Sequence, residues 1–335
     1  MAARQGPRVG PAEDFPGWCH RRGRAFGVEL DAEFAIDGLG SSTRNGPATV
    51  LRRVSVAALE ARWPARDAVR IVERRGGDGR LALTIDHHVG AGFRLWHPGA
   101  GRYVVSADGV EVECALPAVG VGRWQRYLAA QVLPLVAALR GRAVIHASAV
   151  TVGERALAFV AASGAGKTSL AVRLTLGGAA FLTDDALALD PENGRVVAHP
   201  GLAFATMAPA DREVLSVVGR GSVGAVVRRS DKIHVSMPSR SEAAAPLAAV
   251  YFLERIGEGR EVRVEALTSP DPRLLLASAF LPHLAARARL SAQLRAAAEM
   301  ARSVATFRVR VPSAAGAAAV AESIAAHAAP FGASA

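Results

Sequence analysis

The feature that most constrains this chain is the stretch Ala161-Ala-Ser-Gly-Ala-Gly-Lys-Thr168. It lies directly behind the apolar run Ala156–Val160 and ahead of a segment that carries Leu170, Ala171 and Leu174 on one helical face. A short apolar run followed by small residues reads as a buried strand, and the three-to-four spacing after it reads as a helix. The chain must therefore hold a strand–loop–helix unit, and with it an α/β layer. Gly164 and Gly166 permit backbone angles that side chains resist, so successive amides can turn inward around an anion. The expected helix, Lys167–Leu176 ended by Gly177-Gly178, aims its positive end at the same point. Lys167 then reaches the terminal phosphates of a nucleotide, and the Thr168 hydroxyl suits a magnesium ion. Ala162, Ser163, Gly164, Ala165, Gly166, Lys167, Thr168 and Ser169 are accordingly expected to hold ATP with Mg²⁺. Ala161 stands where the general pattern has its first glycine, which is tolerable if its φ is negative.

Composition sharpens this. Of 40 basic residues only Lys167 and Lys232 are lysines. In a chain so rich in Ala, Arg and Gly, a retained lysine marks a place where a compact ammonium fits and a planar guanidinium does not. The formal charge of +10 would suit nucleic acid, but the arginines are spread along the whole chain with few aromatics among them. No nucleic-acid partner is expected. Cys19 and Cys114 are too few for a disulfide framework, which points to a reducing cytoplasm. The longest apolar stretch, Tyr127–Leu139, is too short for a membrane span, and no apolar run follows Arg4 and Arg8 to make a secretion signal. A cytoplasmic protein without a membrane partner is the expectation.

Residues 1–24, with Gly6, Pro7, Gly10 and Pro11, read as a flexible leader. Residues 25–122 read as a small, mainly antiparallel β domain of short runs: Ala48–Val54, Ala68–Glu73, Leu81–Ile85, Phe93–Trp96, Tyr103–Val105 and Val110–Ala115. The last two are joined through an Asp-Gly turn, a hairpin signal, and a short helix is expected at Val56–Arg62. Residues 123–330 read as the α/β domain. It opens with a helix at Trp124–Leu139, followed by strands at Ala143–Val152, Ala156–Val160 and Ala180–Thr183. Later strands are expected near Val196–Ala198, Ile233–Val235, Ala248–Leu253, Val262–Ala266 and Ala305–Val311, with two helices divided by Pro282 and a last helix from Ser313. Leu284, Leu290 and Leu294 form an apolar stripe expected to pack on the sheet.

Four residues gain meaning from position. Asp184 and Asp185 follow the strand after the loop. In a parallel sheet they would reach the edge where the loop sits, one carboxylate near the metal and one accepting a hydroxyl proton. His146 falls inside the strand Val144–Val150, and Lys232 precedes another strand in Ser-Asp-Lys-Ile-His. Each also has a plainer reading: a solvated turn, a satisfied strand histidine, a surface lysine. His87-His88 point to opposite strand faces, and Cys19-His20 lack a second ligand pair at zinc spacing.

Taken together, Ile145-His-Ala-Ser148, Ser163-Gly-Ala-Gly-Lys-Thr168 and Leu182-Thr-Asp-Asp185 resemble, in order and spacing, the kinase domain of HPr kinase/phosphorylase, a P-loop family related to ATP-type phosphoenolpyruvate carboxykinases. The resemblance spans about residues 125–255. It implies an α/β P-loop domain preceded by the smaller β domain, and a kinase that phosphorylates a serine of a peptide or protein. It also implies Asp185 as proton acceptor with Asp184 beside it, His146 and Lys167 in the active site, and Thr168 with Asp184 at the metal. Asp231-Lys232-Ile233 is similar to the family's Asp-Arg-Leu segment, which sets Lys232 near the moving phosphate. The family's Glu-Ile-Arg-Gly stretch is replaced by Ala198-His-Pro-Gly-Leu202, and its later Pro-Gly-Arg-Asn segment has no counterpart. The implied relative is a divergent one, of the kind that accompanies peptide-modification clusters, and such relatives imply assembly into more than one copy. Two alternatives stay open: a catalytically reduced ATP-binding module, and a carboxykinase-like or ATP-hydrolysing enzyme.

Overall fold

The computed structural model describes residues 20–42, 46–117, 120–162, 164–209, 211, 214, 226–229, 232–237, 239–259, 261–268, 272–280 and 287–332. The fold is mixed α/β, with several sheets and few helices. The first sheet takes β1 (Arg21–Ala25), β2 (Val28–Ala32), β3 (Gly40–Ser41), β4 (Thr49–Arg53), β5 (Val69–Arg75), β6 (Leu81–His88), β7 (Gly92–His97), β8 (Gly101–Val105) and β9 (Glu111–Ala115) in the order β3-β1-β2-β4-β9-β8-β7-β6-β5. All its pairs are antiparallel except β2–β4 and β4–β9. The Asp-Gly hairpin forms between β8 and β9, where Gly109 N donates to Ser106 O at 3.0 Å and φ of Gly109 is +70°, an angle that glycine adopts without strain. Helix α1 (Val56–Arg62) is capped by Ser55, whose hydroxyl accepts from Ala58 N. One correction concerns the leader: its end, residues 21–24, read as flexible, belongs to β1, which pairs with both β2 and β3.

A helical stretch follows: α2 (Val121–Tyr127), a widened π turn at Leu128–Val132, then α3 (Leu133–Leu139). Pro134 has no amide to donate back along the helix, and the π turn lies just ahead of it. Trp124, Tyr127, Leu128, Val132 and Val136 bury into the first core with Phe93, Leu95 and Tyr103. That core also draws in Val144, Ala186, Leu202 and Phe204 from later in the chain. No helix among the described residues is long and apolar enough to cross a membrane.

The second sheet holds β10 (Ala143–Ile145), β11 (Ala147–Val152), β12 (Arg155–Val160), β13 (Ala180–Thr183), β14 (Leu187–Glu192), β15 (Arg195–His199), β19 (Ala245–Ile256), β20 (Arg263–Ala266) and β21 (Ala305–Pro312). A third sheet pairs β16 (Phe204–Met207), β17 (Val226–Arg229) and β18 (Ile233–Ser236) in the order β16-β18-β17. The helices are α4 (Lys167–Leu176), α5 (Pro272–Ala277), α6 (Arg287–Ser303) and α7 (Ala317–Gly332). Strand alternation divides the core: Leu157 and Phe159 pack with α4 and α7, while Ala156, Ala158 and Val160 face α6.

Three further expectations need correction. The strand expected at Ala143–Val152 is broken at His146, because β10 pairs with β14 while β11 pairs with β12 and β13. The sheet is mixed rather than parallel: β12 and β13 point the same way, but antiparallel β11 lies between them. The leucine stripe is not core. Leu290 and Leu294 are 42% and 57% exposed, and α6 buries Ala292, Ala296, Ala297 and Met300 instead; Leu284 lies outside the described residues.

Candidate active site

The mixed sheet converges on one edge. β12 and β13 end there, and β11, running the other way, begins there. The loop after β12, the Asp184-Asp185 turn after β13 and His146 before β11 therefore meet. At the loop, Gly164 and Gly166 have φ of +79° and +101°, and α4 starts at Lys167 with Leu170 N donating to Gly166 O. Ala161 is outside the left-handed region, so the missing first glycine is tolerated. Ser163 lies outside the described residues. Lys167 is 6% exposed and donates from Nζ to Ala161 O at 2.8 Å and to Ala162 O at 3.4 Å. Its ammonium is folded back over the loop it would share with a phosphate. Burial lowers its pKa, opposed by Asp185 and Asp184.

Asp184 gathers three donors. Ser148 Oγ and Thr168 Oγ1 both donate to its Oδ1, at 2.7 and 2.8 Å, and Thr206 N donates to its Oδ2 at 3.0 Å. Burial, and then the neighbouring Asp185 charge, push its carboxyl up to about 6. Asp185 is also raised by burial, against the pull of Lys167, Lys232 and Arg126. Its φ is +63°, and Ala186 N donates to Asp184 O at 2.8 Å, a γ-turn of the rare positive-φ kind. Two side chains brace this turn: Thr183 Oγ1 donates to Ala186 O at 2.6 Å, and His146 Nδ1 lies 2.7 Å from Asp185 O. A carbonyl can only accept, so His146 carries its proton on Nδ1 and keeps Nε2 as an acceptor when neutral. Burial, followed by Lys167, lowers the His146 pKa, which favours that neutral form. The histidine is held by its backbone too, His146 N donating to Ser278 O at 2.7 Å.

His146, Lys167, Thr168, Asp185 and Lys232 line one cleft of about 360 Å³, with Gly164, Gly166 and Ser169 beside them and Asp184 just behind Thr168. Sequence reasoning thus named residues that meet in space. It assigned no role to Ser148, although the residue sits in a quoted motif, and it missed Arg126, Asp211 and the Thr206 amide. Asp231 lies outside the described residues. A second acidic group, Asp190, Glu192 and His199, brings ligand atoms within 4.8 Å of one another. There His199 Nε2 is 2.9 Å from Asp190 Oδ2, and Arg142 closes on the same oxygen. The arginine supplies the positive charge an ion would otherwise provide, so the group reads as a buried ion pair.

No protein-family model and no curated protein matches the chain. Among solved structures it is similar to the Hpr(Ser) kinase/phosphatase from Coxiella burnetii, at 9% identity over 56% of this chain and 97% of that one, with a TM-score of 0.30. A likeness that distant decides neither fold nor activity, and the chemistry has to rest on the residues of the cleft themselves.

Proposed function

We propose that this protein is an ATP-dependent kinase that transfers the γ-phosphoryl group to a hydroxyl, a serine of a peptide or protein. The observation that carries the reading is the contact of Thr168 with Asp184, made beside Lys167 and one residue from Asp185. A loop hydroxyl joined to a strand-end carboxylate is the pairing that holds magnesium in P-loop enzymes. Thr168 and Asp184 fit that ion: both offer hard oxygen donors, and a carboxylate whose charge is disfavoured by burial is relieved by a cation. Magnesium, when bound, would neutralise charge on the transferred group.

The chain's own residues do the rest. The loop amides and Lys167 hold the triphosphate, and Lys232 and Arg126 add positive charge near Asp185. Asp185 takes the acceptor's proton as its oxygen attacks the γ-phosphorus. The bond to the bridging oxygen breaks, and its electron pair leaves with ADP. A carboxylate raised above its usual range is the better base for that step. His146 holds the turn that aims Asp185 and lines the cleft. Positioning and fixed charge account for most of such catalysis.

One observation favours the alternative of ATP binding without transfer. His199, in the segment that replaces the family's acidic stretch, is bound into the Arg142–Asp190 ion pair and brings no carboxylate to the cleft. Incubation with labelled ATP and Ser-containing peptides decides. The kinase reading expects transfer by the wild type and none by Asp185→Asn. Wild type that binds ATP through Lys167 yet labels no peptide overturns it.

A further inference from the structure

Three parallel strands end at the edge that carries the nucleotide loop. β12 runs parallel to β19, and β19 to β21. β12 stops at Val160, in register with Phe252, while β19 continues to Ile256. Arg255 therefore stands three residues past the end of β12, about 10 Å further along the strand direction, and so at the level of the loop. Alternation sets its face. Tyr251 lies in the core beneath α4 and α7, with Leu253 packed against that core, so Arg255 projects to the same side. Its guanidinium reaches the loop: a Cβ on Gly166 would lie 3.7 Å from Arg255 Nη2. Nη1 donates backwards, to Pro312 O at 3.4 Å and Ala315 O at 3.3 Å. These carbonyls belong to the turn between β21 and α7, which Ser313 N and Oγ fasten to Ile256 O at 2.9 and 3.0 Å. The arginine is thus held from behind, with Nη2 toward the loop.

Among the described residues no carboxylate pairs with Arg255; its hydrogen-bond partners are those two carbonyls. The place is a costly one for an unneutralised cation. Gly166 opens α4, whose first amides are partly positive. Lys167 is buried in the same loop, with carbonyls alone as its hydrogen-bond partners. An anion lying across the loop would satisfy the amides and both cations. Strand order decides which part of a nucleotide meets Arg255. At this edge the sheet runs β21-β19-β12-β11-β13. His146, Asp184 and Asp185 lie on the β11–β13 side of the loop, where the transferred group belongs in the kinase reading. Arg255 lies on the other side, one strand spacing or about 5 Å from β12.

We infer that Arg255 is a nucleotide-binding residue that donates to the phosphates nearest the ribose, at the end of the chain away from the transferred group. The inference rests on the nucleotide-binding part of the kinase reading and not on transfer, so the two can fail separately. Calorimetric titration of the full chain with ATP, ADP and tripolyphosphate, each with Mg²⁺, tests it. Arg255→Gln should weaken all three by a similar factor of about tenfold, the scale of one hydrogen bond between charged groups, and Arg255→Lys should recover part of the loss. Arg308→Gln removes the same charge from the opposite sheet face, where it pairs with Glu254 at 3.5 Å, and should change binding less than about twofold. The unliganded Arg255→Gln protein should melt no lower than wild type, since it loses a cation beside a helix start; a lower Tm alongside weaker binding makes the role structural and overturns the contact. Unchanged binding by Arg255→Gln, or an equal loss in Arg308→Gln, overturns it as well. Loss for ATP and tripolyphosphate but not ADP puts Arg255 at the transferred phosphate, and loss for ATP and ADP but not tripolyphosphate puts it at the nucleoside; either overturns the placement. Nucleotide binding that weakens as expected, in a wild type that labels no peptide, removes the kinase and leaves Arg255 standing. A wild type that binds none of the three removes both.

Discussion

Asp184→Asn should make the unliganded protein more stable, and only above acid pH. The Asp184 carboxyl is pushed from 3.8 to about 6, chiefly by burial and then by Asp185. A carboxyl raised on folding binds its proton more tightly in the folded state. It therefore favours the fold most below pH ~4, loses that contribution as pH rises to ~6, and leaves a constant penalty above. That rise disfavours the ionised form by roughly 3 kcal/mol at pH 7.5. Asparagine removes the charge, keeps an oxygen for Thr206 N and can donate to one of the two hydroxyls. Both hydroxyls, of Ser148 and Thr168, lose Oδ1 as acceptor and turn to accept from the amide or to donate elsewhere, which costs about 1 kcal/mol. The net gain is about 2 kcal/mol at pH 7.5, read as a Tm about 3–5 °C higher in a chelator-containing buffer. At pH 4.5 the wild-type carboxyl is already protonated in the fold, so most of the gain disappears. Phosphoryl transfer should be lost in the same variant, the stability–activity conflict expected of a catalytic carboxylate. A variant no more stable than wild type at pH 7.5, or one whose gain is the same at pH 4.5, refutes the reasoning.

Gly201→Ala tests the support of the aspartate turn: a Cβ there would lie 2.2 Å from Thr183 Oγ1, the hydroxyl that ties Ala186 O. The expected loss is about 1–3 kcal/mol by urea unfolding, with ATP turnover falling more than nucleotide affinity. Asp86, although burial alone would raise it, is held below its usual value by Arg70 at 2.7 Å and Arg94 at 2.9 Å. Its contribution is present at neutral pH and lost as pH falls below about 4, so Asp86→Asn should destabilise by about 1–2 kcal/mol at pH 7 and by progressively less under acid. Leu290→Gln and Leu294→Gln should shift stability by less than about 0.5 kcal/mol, whereas Met300→Ala, at a fully buried site, should cost about 2–4 kcal/mol; parallel urea melts compare them.

What could be read from the sequence was whatever local chemistry dictates. α1, α4 and β13 begin and end where caps, glycines and apolar runs place them. β14 and β16 could not be read. Leu187-Ala-Leu-Asp-Pro-Glu192 carries a proline and an aspartate that argue against a strand, and the aspartate is kept because Arg142 and His199 neutralise it. Phe204–Met207 is too short to show a period. An apolar run also looks the same whether its neighbours run parallel or antiparallel, so the insertion of β11 between β12 and β13 was invisible. On α6 the larger residues misled: alanines at 292, 296 and 297 let the helix approach the sheet closely, and the leucines are left outside. Ser148 and the Thr206 amide have no signal of their own, since their meaning lies in reaching Asp184 from strands distant in sequence.

The places where this chain breaks local rules gather at one edge of the second sheet. Asp185 holds a positive φ that glycine would adopt without strain, at a cost of about 1 kcal/mol. Two adjacent carboxylates are raised by burial, a lysine is almost wholly buried beside them, and a strand is interrupted so that His146 can brace the turn. A turn selected for stability alone would carry glycine at 185 and a neutral hydrogen-bonding residue at 184. The chain instead carries acids at both positions, held by Ser148, Thr168, Thr183 and His146, which is the arrangement the proposed transfer would need. The strain therefore supports the proposed chemistry independently of any likeness to other proteins, at the mouth of the loop that Lys167 closes.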